Sequence, residues 1–372
     1  MQRCLELAKK GAGSVAPNPM VGAVLVYEDR IIGEGWHQQY GEAHAEVNCI
    51  NDAMIHLNAE SDWEHDIIEK STLYVSLEPC AHFGKTPPCA DLIIQHKISK
   101  VVIGSKDPFQ EVNGKGIEKL KAAGVEVISG ILENECKALN KRFFTFHEKK
   151  RPYVILKWAQ TADGKMASLN PSAGGTSDSD RKRLFISNEY SNRLVHQWRS
   201  EEASILIGTN TALLDDPELT NRLWEGNSPI RLVLDMDLRL PSHLKLFDKK
   251  VKTIVFNAVK QEEKENLIYY KIDKEKSIVS EISYALYQLN IQSVIVEGGA
   301  KLLQSFIDAG LWDEARVISN EKLVINNACL PDRQGLAAPN LTAALMVKEE
   351  KILSDRIEYY TGPYAKNYAA NP

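Results

Sequence analysis

The sequence predicts an α/β protein made of two consecutive domains. Its 372 residues exceed what one ordinary hydrophobic core accommodates. Apolar strands alternate with helical segments, which is typical of layered α/β folds. The alternation starts a second time after the basic stretch HEKKRP (147–152), where charge followed by proline indicates a boundary. We therefore predict an N-terminal domain over residues 1–148 and a C-terminal domain over residues 149–372.

The first domain is predicted to alternate strands and helices along its whole length. In chain order these are a helix over 3–10, the strands VGAVLVYED and IIGEGWH, a helix starting near residue 44, the strand STLYVSL, a helix over 90–96, the strand KVVIGS, a helix over 117–123 and the strand GVEVISG. The polar, acidic segment 51–70 is predicted as a helix extension and loop that covers one face. We interpret its His56 and His65 as solvated side chains.

The second domain repeats this pattern with a long polar insertion. Its predicted strands are YVILKWAQ, ASILIGTN, IRLVLD, TIVFNA and SVIVEGG, and its predicted helices lie over 188–199 and in KLLQSFIDAG. A loop rich in Gly, Ser and Asp is predicted over 170–180.

Composition favours a cytoplasmic protein that acts on a small molecule. Hydrophobic residues at 44% and charged residues at 26% are ordinary for a globular chain. The net charge of −5 gives no overall attraction to a nucleic-acid backbone. We expect neither a membrane span nor a signal peptide, because no run of eighteen apolar residues occurs. Six cysteines scattered over this length do not indicate a disulfide framework.

A catalytic zinc site is predicted from His44, Cys80 and Cys89. Catalytic zinc commonly takes three protein ligands and leaves a fourth position for water, whose pKa it lowers to about 7. Glu46 follows His44 by two residues at a predicted helix start, so it can reach that water without binding the metal. Zinc nucleobase deaminases use the same His-x-Glu and Pro-Cys pattern. A structural zinc site with a fourth protein ligand is the alternative.

The spacing between the two cysteines departs from the generic deaminase pattern. Eight residues separate Cys80 from Cys89, where nucleobase deaminases have two. The intervening loop HFGKTPP contains His82, Lys85 and Thr86, which suit a phosphate group. This loop therefore indicates a phosphorylated substrate.

Three other motifs in this domain also have a simpler explanation as a turn or a helix end. The letters GKT suggest a Walker loop, but its earlier glycine would fall at Pro79. The stretch GAGSVA (11–16) matches a dinucleotide fingerprint, yet it follows a helix and is better explained as a helix end. In APNPMVGAV (16–24), Asn18 stands between proline-defined turns and is expected to face a ligand such as the amide edge of a base. A simple turn residue is the alternative for Asn18.

Four segments together resemble the deaminase half of the bifunctional pyrimidine deaminase/reductase family of riboflavin biosynthesis: PNPMVG, HAEVN, TLYVSLEPC and HFGKTPPC. The resemblance implies a cytidine-deaminase-like three-layer α/β/α fold. It also implies zinc-dependent hydrolytic deamination of 2,5-diamino-6-(5-phosphoribosylamino)pyrimidin-4(3H)-one, with Glu46 moving the proton. The residues implied to bind Zn²⁺ are His44, Cys80 and Cys89. The residues implied to bind this substrate are Asn18, His82, Lys85, Thr86 and Asn113.

The second domain is similar, more loosely, to the reductase half of that family, whose fold resembles dihydrofolate reductase. The matching segments are KWAQTADGK, GTNTALLDDPELTNR, IRLVLD and VEGGAKLL. The resemblance implies NADPH-dependent reduction of the ribosyl group of 5-amino-6-(5-phosphoribosylamino)uracil to ribityl. The implied cofactor residues are Gln160, Phe185, Thr211, Asp215, Gly299, Ala300, Lys301, Leu302, Leu303, Gln304 and Ser305. The implied substrate residues are Arg199, Leu219, Arg222 and Glu297.

Physical chemistry supports an anion site near Gly299, because two glycines between a strand and a helix N-terminus expose backbone N–H groups. A tight turn without a ligand is the alternative. Two departures from the family pattern concern the nicotinamide region. Phe185 stands where a tryptophan is usual, and Gln160 where a small residue is common.

These departures keep open a deaminase whose reductase-like domain has lost hydride transfer. A nucleic-acid-editing deaminase would need a basic strand-binding channel, and a binding-only protein would not need Glu46. The expected partner is a phosphorylated pyrimidine, with neither nucleic acid nor membrane. The resemblance also implies a homodimer or a larger assembly.

Overall fold

A computed structural model describes residues 1–57, 62–83, 87–109, 112–168, 185–325, 335–341 and 344–363. Within these ranges the chain divides into two compact units, Met1–Arg151 and a second unit that starts at Pro152. The boundary predicted between residues 148 and 149 falls at the end of the helix Lys141–Lys149, just before this division. No helix in the described part of the chain is long and apolar enough to cross a membrane.

The first unit contains one five-stranded sheet. Its strands are β1 (Gly22–Tyr27), β2 (Arg30–Trp36), β3 (Thr72–Leu77), β4 (Lys100–Ser105) and β5 (Glu126–Ser129). Its helices are α1 (Gln2–Lys9), α2 (Ala45–Leu57), α3 (Asp62–Lys70), α4 (Cys89–Gln95), α5 (Lys115–Ala122), α6 (Glu133–Leu139) and α7 (Lys141–Lys149). The strand order is β2-β1-β3-β4-β5. Strand β1 pairs antiparallel with β2 and β3, whereas β3, β4 and β5 run parallel.

The central strands of the sheet in the first unit are buried on both faces. Successive side chains of a strand point to opposite faces. Ala23 and Leu25 of β1 therefore pack with apolar residues of α2 to α5. Val24, between them, packs with Cys4 and Leu7 of α1 on the other face. Helices on both faces give the three-layer α/β/α arrangement.

Three helices of the first unit differ from the sequence prediction. The acidic segment 51–70, predicted as a helix extension and loop, contains the end of α2 and a separate helix, α3. Helices α6 and α7 are absent from the prediction. They have seven and nine residues.

The second unit is built on a ten-stranded sheet. The described part of this unit contains the strands β6 (Tyr153–Thr161), β7 (Lys165–Ser168), β8 (Ser204–Gly208), β9 (Ile230–Leu234), β10 (Thr253–Asn257), β11 (Glu262–Lys264), β12 (Leu267–Lys271), β13 (Ser293–Val296), β14 (Glu314–Asn320), β15 (Gly335–Ala337), β16 (Leu345–Ile352) and β17 (Asp355–Thr361), of which all but β7 and β15 form the large sheet. Its helices are α8 (Glu189–Glu201), α9 (Thr209–Asp215), α10 (Ile278–Gln288) and α11 (Ala300–Asp308). The sheet order is β11-β12-β10-β9-β8-β13-β6-β14-β17-β16, and β7 pairs separately with β15.

All five strands predicted for the second unit are present, and they form the parallel centre of the sheet with β12 and β14. Their neighbours β11, β16 and β17 pair antiparallel at the two ends. The sequence pattern predicts none of these outer strands, nor α9 and α10. Strands buried on both faces are continuous apolar runs, whereas the mostly exposed β16 carries a charged KEEK sequence that hides its strand character. The polar loop predicted over 170–180 lies outside the described residues.

Candidate functional site

The three predicted metal ligands converge in the first unit. His44 directly precedes α2, Cys80 follows β3, and Cys89 is the first residue of α4. The Nδ1 atom of His44 lies 3.6 Å from the Sγ atom of Cys80 and 3.3 Å from that of Cys89. All three ligand atoms lie within 4.8 Å of one another. One imidazole and two thiols at this spacing fit Zn²⁺ with a fourth coordination position left open.

The two thiols differ in protonation. Hydrogen bonds from Cys89 and His44 lower the pKa of the Cys80 thiol to about 4. The hydrogen bond to Cys80, together with burial, raises the pKa of Cys89. The backbone N–H of Cys89 also donates to the Cys80 sulfur at 3.3 Å. The lowered pKa favours the thiolate form of Cys80, which is the form that binds metal.

Glu46 lies beside this cluster because α2 packs closely on β2. At Gly35 of β2, an added Cβ would lie 2.5 Å from the carbonyl oxygen of Ala45, so a larger residue would push the helix away. Glu46 sits in the first turn of α2 and is 3% exposed. Burial raises the pKa of its carboxyl above the ordinary value, although the nearby His44 opposes this. A buried carboxyl of raised pKa next to a metal cluster suits proton transfer near neutral pH.

A buried histidine, His37, holds the predicted ligand residue Asn18. Its Nδ1 atom lies 3.0 Å from the carbonyl oxygen of Ala43, and its Nε2 atom lies 3.1 Å from Nδ2 of Asn18. A carbonyl oxygen only accepts, so Nδ1 carries the proton and Nε2 of the neutral ring accepts from the Asn18 amide. Burial lowers the pKa of His37, which favours the neutral ring. The amide of Asn18 is thereby oriented with its nitrogen toward His37 and its oxygen away.

The other predicted residues of this site are less closely defined by contacts. The Nδ1 atom of His82 is buried and has no hydrogen-bond partner among the residues that the structure describes. Its ring lies 6.1 Å from that of Phe109. Asn113 is exposed in the turn before α5. Lys85 and Thr86 lie outside the described residues.

A second polar cluster lies in the second unit around Glu297, directly after β13. The Nε and Nη2 atoms of Arg199 donate to the two carboxylate oxygens of Glu297 at 3.1 and 2.7 Å. The Nζ atom of Lys157 lies 3.8 Å from the same carboxylate. Burial alone would raise the pKa of Glu297, but Arg199 and Lys157 hold it at about 2. Glu297 is thus ionised and fixes the direction of the Arg199 guanidinium.

Arg222 and Leu219 lie on the segment that follows α9. The backbone N–H of Arg222 donates to Nδ1 of the buried His196 at 2.9 Å. Its side chain is half exposed and donates to Glu218 and Thr220. The side chain of Leu219 packs into the hydrophobic core.

The predicted phosphate segment lies at the N-terminus of α11. Gly298 and Gly299 have φ angles of 125° and 72°. Thr211 packs against them, since an added Cβ at Gly298 would lie 2.9 Å from its methyl group. The side chains of Leu302 and Leu303 belong to the core. A ligand at this helix end would therefore meet backbone N–H groups and the exposed Lys301.

The remaining predicted cofactor residues have varied surroundings. Gln160 accepts a hydrogen bond from the Trp158 indole at 2.9 Å and donates to Ser319 at 3.1 Å. Phe185 is 77% exposed and directly follows a segment outside the described residues. Asp215 is exposed at the end of α9.

Two further predicted cofactor residues make contacts within and near α11. Gln304 donates to Asp308 and accepts from the backbone N–H of Asn340. Ser305 donates to the carbonyl oxygen of Lys301.

Both units match known families, and the matches follow the two units. Residues 1–105 match the cytidine and deoxycytidylate deaminase zinc-binding region, and residues 152–348 match the RibD C-terminal domain. Riboflavin biosynthesis protein RibD of Aquifex aeolicus is 37% identical over 363 residues, which cover 95% of this chain and 94% of the relative.

Solved structures agree over nearly the whole length. A diaminohydroxyphosphoribosylaminopyrimidine deaminase/5-amino-6-(5-phosphoribosylamino)uracil reductase from Thermotoga maritima is 35% identical, with a TM-score of 0.82 and 97% coverage of each chain. RibD of Acinetobacter baumannii is 28% identical, with a TM-score of 0.81 and the same coverage.

The matches confirm the predicted fold class, a cytidine-deaminase-like domain followed by a dihydrofolate-reductase-like domain. The first domain is a zinc-binding deaminase domain, and the second domain uses NADPH as its cofactor. Because the likeness extends over both halves, a deaminase with an inactive reductase-like domain is not favoured. The chain therefore belongs to the RibD family of riboflavin biosynthesis enzymes, which join a deaminase domain and a reductase domain in one polypeptide.

Proposed function

We propose that His44, Cys80 and Cys89 hold the zinc ion of the deaminase and that Glu46 transfers the proton. The observation that carries this proposal is the cluster itself, three donor atoms within 4.8 Å beside a carboxyl that is 3% exposed. When bound there, zinc polarises a water molecule and favours its ionisation near neutral pH. Glu46 takes up the proton released and delivers it to the nitrogen that leaves as ammonia.

The proposed deaminase substrate is 2,5-diamino-6-(5-phosphoribosylamino)pyrimidin-4(3H)-one. The Thermotoga maritima relative is named for a substrate of this class. The oxygen of Asn18, turned away from His37, suits an N–H group of the pyrimidine, which carries several such donors. We assign His82, Lys85, Thr86 and Asn113 to the phosphoribosyl portion, where imidazole, ammonium, hydroxyl and amide groups can all bind phosphate oxygens.

We propose that the second unit reduces the ribosyl group of 5-amino-6-(5-phosphoribosylamino)uracil to ribityl. NADPH supplies the hydride. Arg199 and Arg222 carry positive charge for the phosphorylated sugar. Glu297 holds the Arg199 guanidinium through two hydrogen bonds. Leu219, packed in the core, anchors the segment that contains Arg222. Such a transfer depends mainly on holding donor and acceptor carbons in contact, so it needs orientation more than a strong acid or base.

The proposed cofactor contacts lie on four segments of the second unit: β6, the residues before α8, α9, and the start of α11. The backbone at the start of α11 faces the phosphates, Thr211 packs beside it, and Gln160 and Phe185 lie toward the nicotinamide. The residues assigned to NADPH are Gln160, Phe185, Thr211, Asp215, Gly299, Ala300, Lys301, Leu302, Leu303, Gln304 and Ser305.

We further propose that residues 1–148 carry the deaminase and residues 149–372 the reductase. A cytoplasmic location agrees with the free thiols of the five cysteines in the described ranges. A homodimer or larger assembly is also proposed, and sedimentation of the purified protein measures it.

Substituting two histidines at opposite ends of one helix tests the metal assignment. His44→Ala removes a proposed ligand, whereas His56→Ala changes an exposed histidine in the last turn of α2. We expect H44A to lose bound zinc and ammonia release while it still oxidises NADPH with the deaminated substrate. H56A should keep both activities and its zinc. An H44A protein that retains one zinc per chain and normal ammonia release would refute the assignment.

A further inference from the structure

Glu78 is a buried carboxylate that binds four backbone N–H groups. It directly precedes the Pro-Cys pair and is 3% exposed. Its Oε2 atom accepts from the N–H groups of Asp107 at 3.2 Å and Gly114 at 2.9 Å. Its Oε1 atom accepts from the N–H groups of Gly116 at 3.0 Å and Ile117 at 3.2 Å. All four donors come from one segment, between the end of β4 and the first turn of α5.

The first N–H groups of a helix lack partners within the helix. The residue before α5 is Gly114, which has no side chain to supply one. Glu78 therefore caps α5 from another part of the chain and places a negative charge at the positive end of its dipole. The same carboxylate also fixes the start of the preceding loop through Asp107.

The contact joins this loop to the metal cluster. The N–H of Glu78 donates to the carbonyl oxygen of Ser105 at the end of β4, at 2.9 Å. Helix α5 approaches so closely that an added Cβ at Gly116 would collide with the carbonyl oxygen of Pro79. Cys80, a proposed zinc ligand, is the next residue. The loop that contains Asn113 is thus held against the segment that presents Cys80.

We propose that Glu78 is a positioning residue of the deaminase, which holds residues 107–109 and 112–114, Asn113 among them, in register with the proposed zinc ligand Cys80. This inference rests on the proposed function, because Asn113 is there assigned to the substrate. Four donors in two pairs require two acceptor oxygens. A glutamine offers one oxygen, and its amide group would face two N–H donors. The carboxylate is therefore required by the geometry and not only tolerated.

The test compares Glu78→Gln with Glu118→Gln, an exposed glutamate on α5, in the full-length zinc-loaded protein. We expect E78Q to raise the deaminase KM for the diaminopyrimidine phosphate about tenfold, with a smaller change in kcat. Bound zinc and NADPH oxidation with the deaminated substrate should be unchanged. Hydrogen exchange should accelerate in residues 112–120. E118Q should match the wild type in every measurement.

The KM of E78Q separates a positioning role of Glu78 from a role in stability alone. An E78Q protein with wild-type KM overturns the inference, including one that only melts at a lower temperature, which would mean a stabilising role alone. A wild-type protein that releases no ammonia overturns the proposed function and this inference with it. If E78Q does not fold, Gly114→Ala decides, since it strains a residue with a φ of 88° and leaves the carboxylate intact. G114A should also raise KM, and an unchanged KM would overturn the proposal.

Discussion

The orientation of the Asn18 amide follows from a histidine that the sequence does not single out. His37 donates to the carbonyl oxygen of Ala43, so its other ring nitrogen must accept from Asn18. His37 lies nineteen positions after Asn18 in the chain. A sequence pattern indicates that an asparagine between prolines is special, but not which end of its amide faces outward.

Removing the Asn18 side chain should weaken substrate binding by the deaminase. We expect Asn18→Ala to raise the KM of the deaminase for the diaminopyrimidine phosphate about tenfold, because one hydrogen bond to the pyrimidine is lost. Asn51→Ala, on the exposed side of α2, is the control. Initial rates of ammonia release measure both. Equal KM values for N18A and the wild type would contradict the assignment of Asn18 to the substrate.

Glu297 should make the stability of the second unit depend on pH in the acid range. Its pKa falls from an ordinary 4.5 to about 2 in the folded protein. A carboxyl with a depressed folded pKa stabilises the fold above its unfolded pKa and loses that effect as pH falls toward the folded value. The wild-type advantage in free energy of unfolding over Glu297→Gln should therefore be constant near neutral pH. It should decrease by about 3 kcal/mol as pH falls from 4.5 toward 2.

Urea unfolding at a series of pH values measures this difference. Glu275→Gln, which changes an exposed carboxyl of the same unit, should show no comparable decrease. A difference between wild type and E297Q that stays constant down to pH 3 would show that the Arg199 pair does not depress the pKa of Glu297.

At the scale of elements, the close contact between α2 and β2 positions both His44 and Glu46. The sequence predicts the helix, the strand and the three metal ligands, because those depend on local pattern and residue type. It does not predict the spacing between α2 and β2, which depends on Gly35 meeting Ala45 and Cys49 in three dimensions. The spacing of α6 and α7 against the rest of the unit is likewise set by parts of the chain distant in sequence. Helix α6 lies against β4 and α1. Phe143 and Phe144 of α7 pack with Leu77.

Gly35→Ala should therefore reduce zinc binding as well as stability. The added methyl group forces α2 away from β2, and we expect a loss of about 2 kcal/mol in the free energy of unfolding. The deaminase should also lose zinc at a lower chelator concentration, whereas reductase activity should persist. Ile31→Ala, at an exposed position of the same strand, is the matched control. A G35A protein that holds zinc as tightly as the wild type would show that this contact does not position the ligands.

At the scale of the whole molecule, each unit has its own sheet and its own core. The sequence predicts two domains because the strand and helix alternation starts again after the basic stretch 147–152. The edge strands of the second sheet could not be predicted, because exposed, charged strands such as β16 lack apolar alternation. The His44–Cys80–Cys89 cluster and Glu46 lie in the first unit, and the Glu297 cluster lies in the second. A variant of the first cluster should therefore change the deaminase alone.

The most direct test follows both reactions in one experiment with wild-type protein and Glu46→Gln. Each protein receives the diaminopyrimidine phosphate with NADPH, and ammonia and NADPH absorbance are recorded together. The wild type should release ammonia first and then oxidise one NADPH for each ammonia. E46Q should release ammonia roughly a thousandfold more slowly, keep its zinc, and still oxidise NADPH when given the deaminated product. Ammonia release by E46Q at the wild-type rate, or NADPH oxidation by the wild type without ammonia release, would contradict the account.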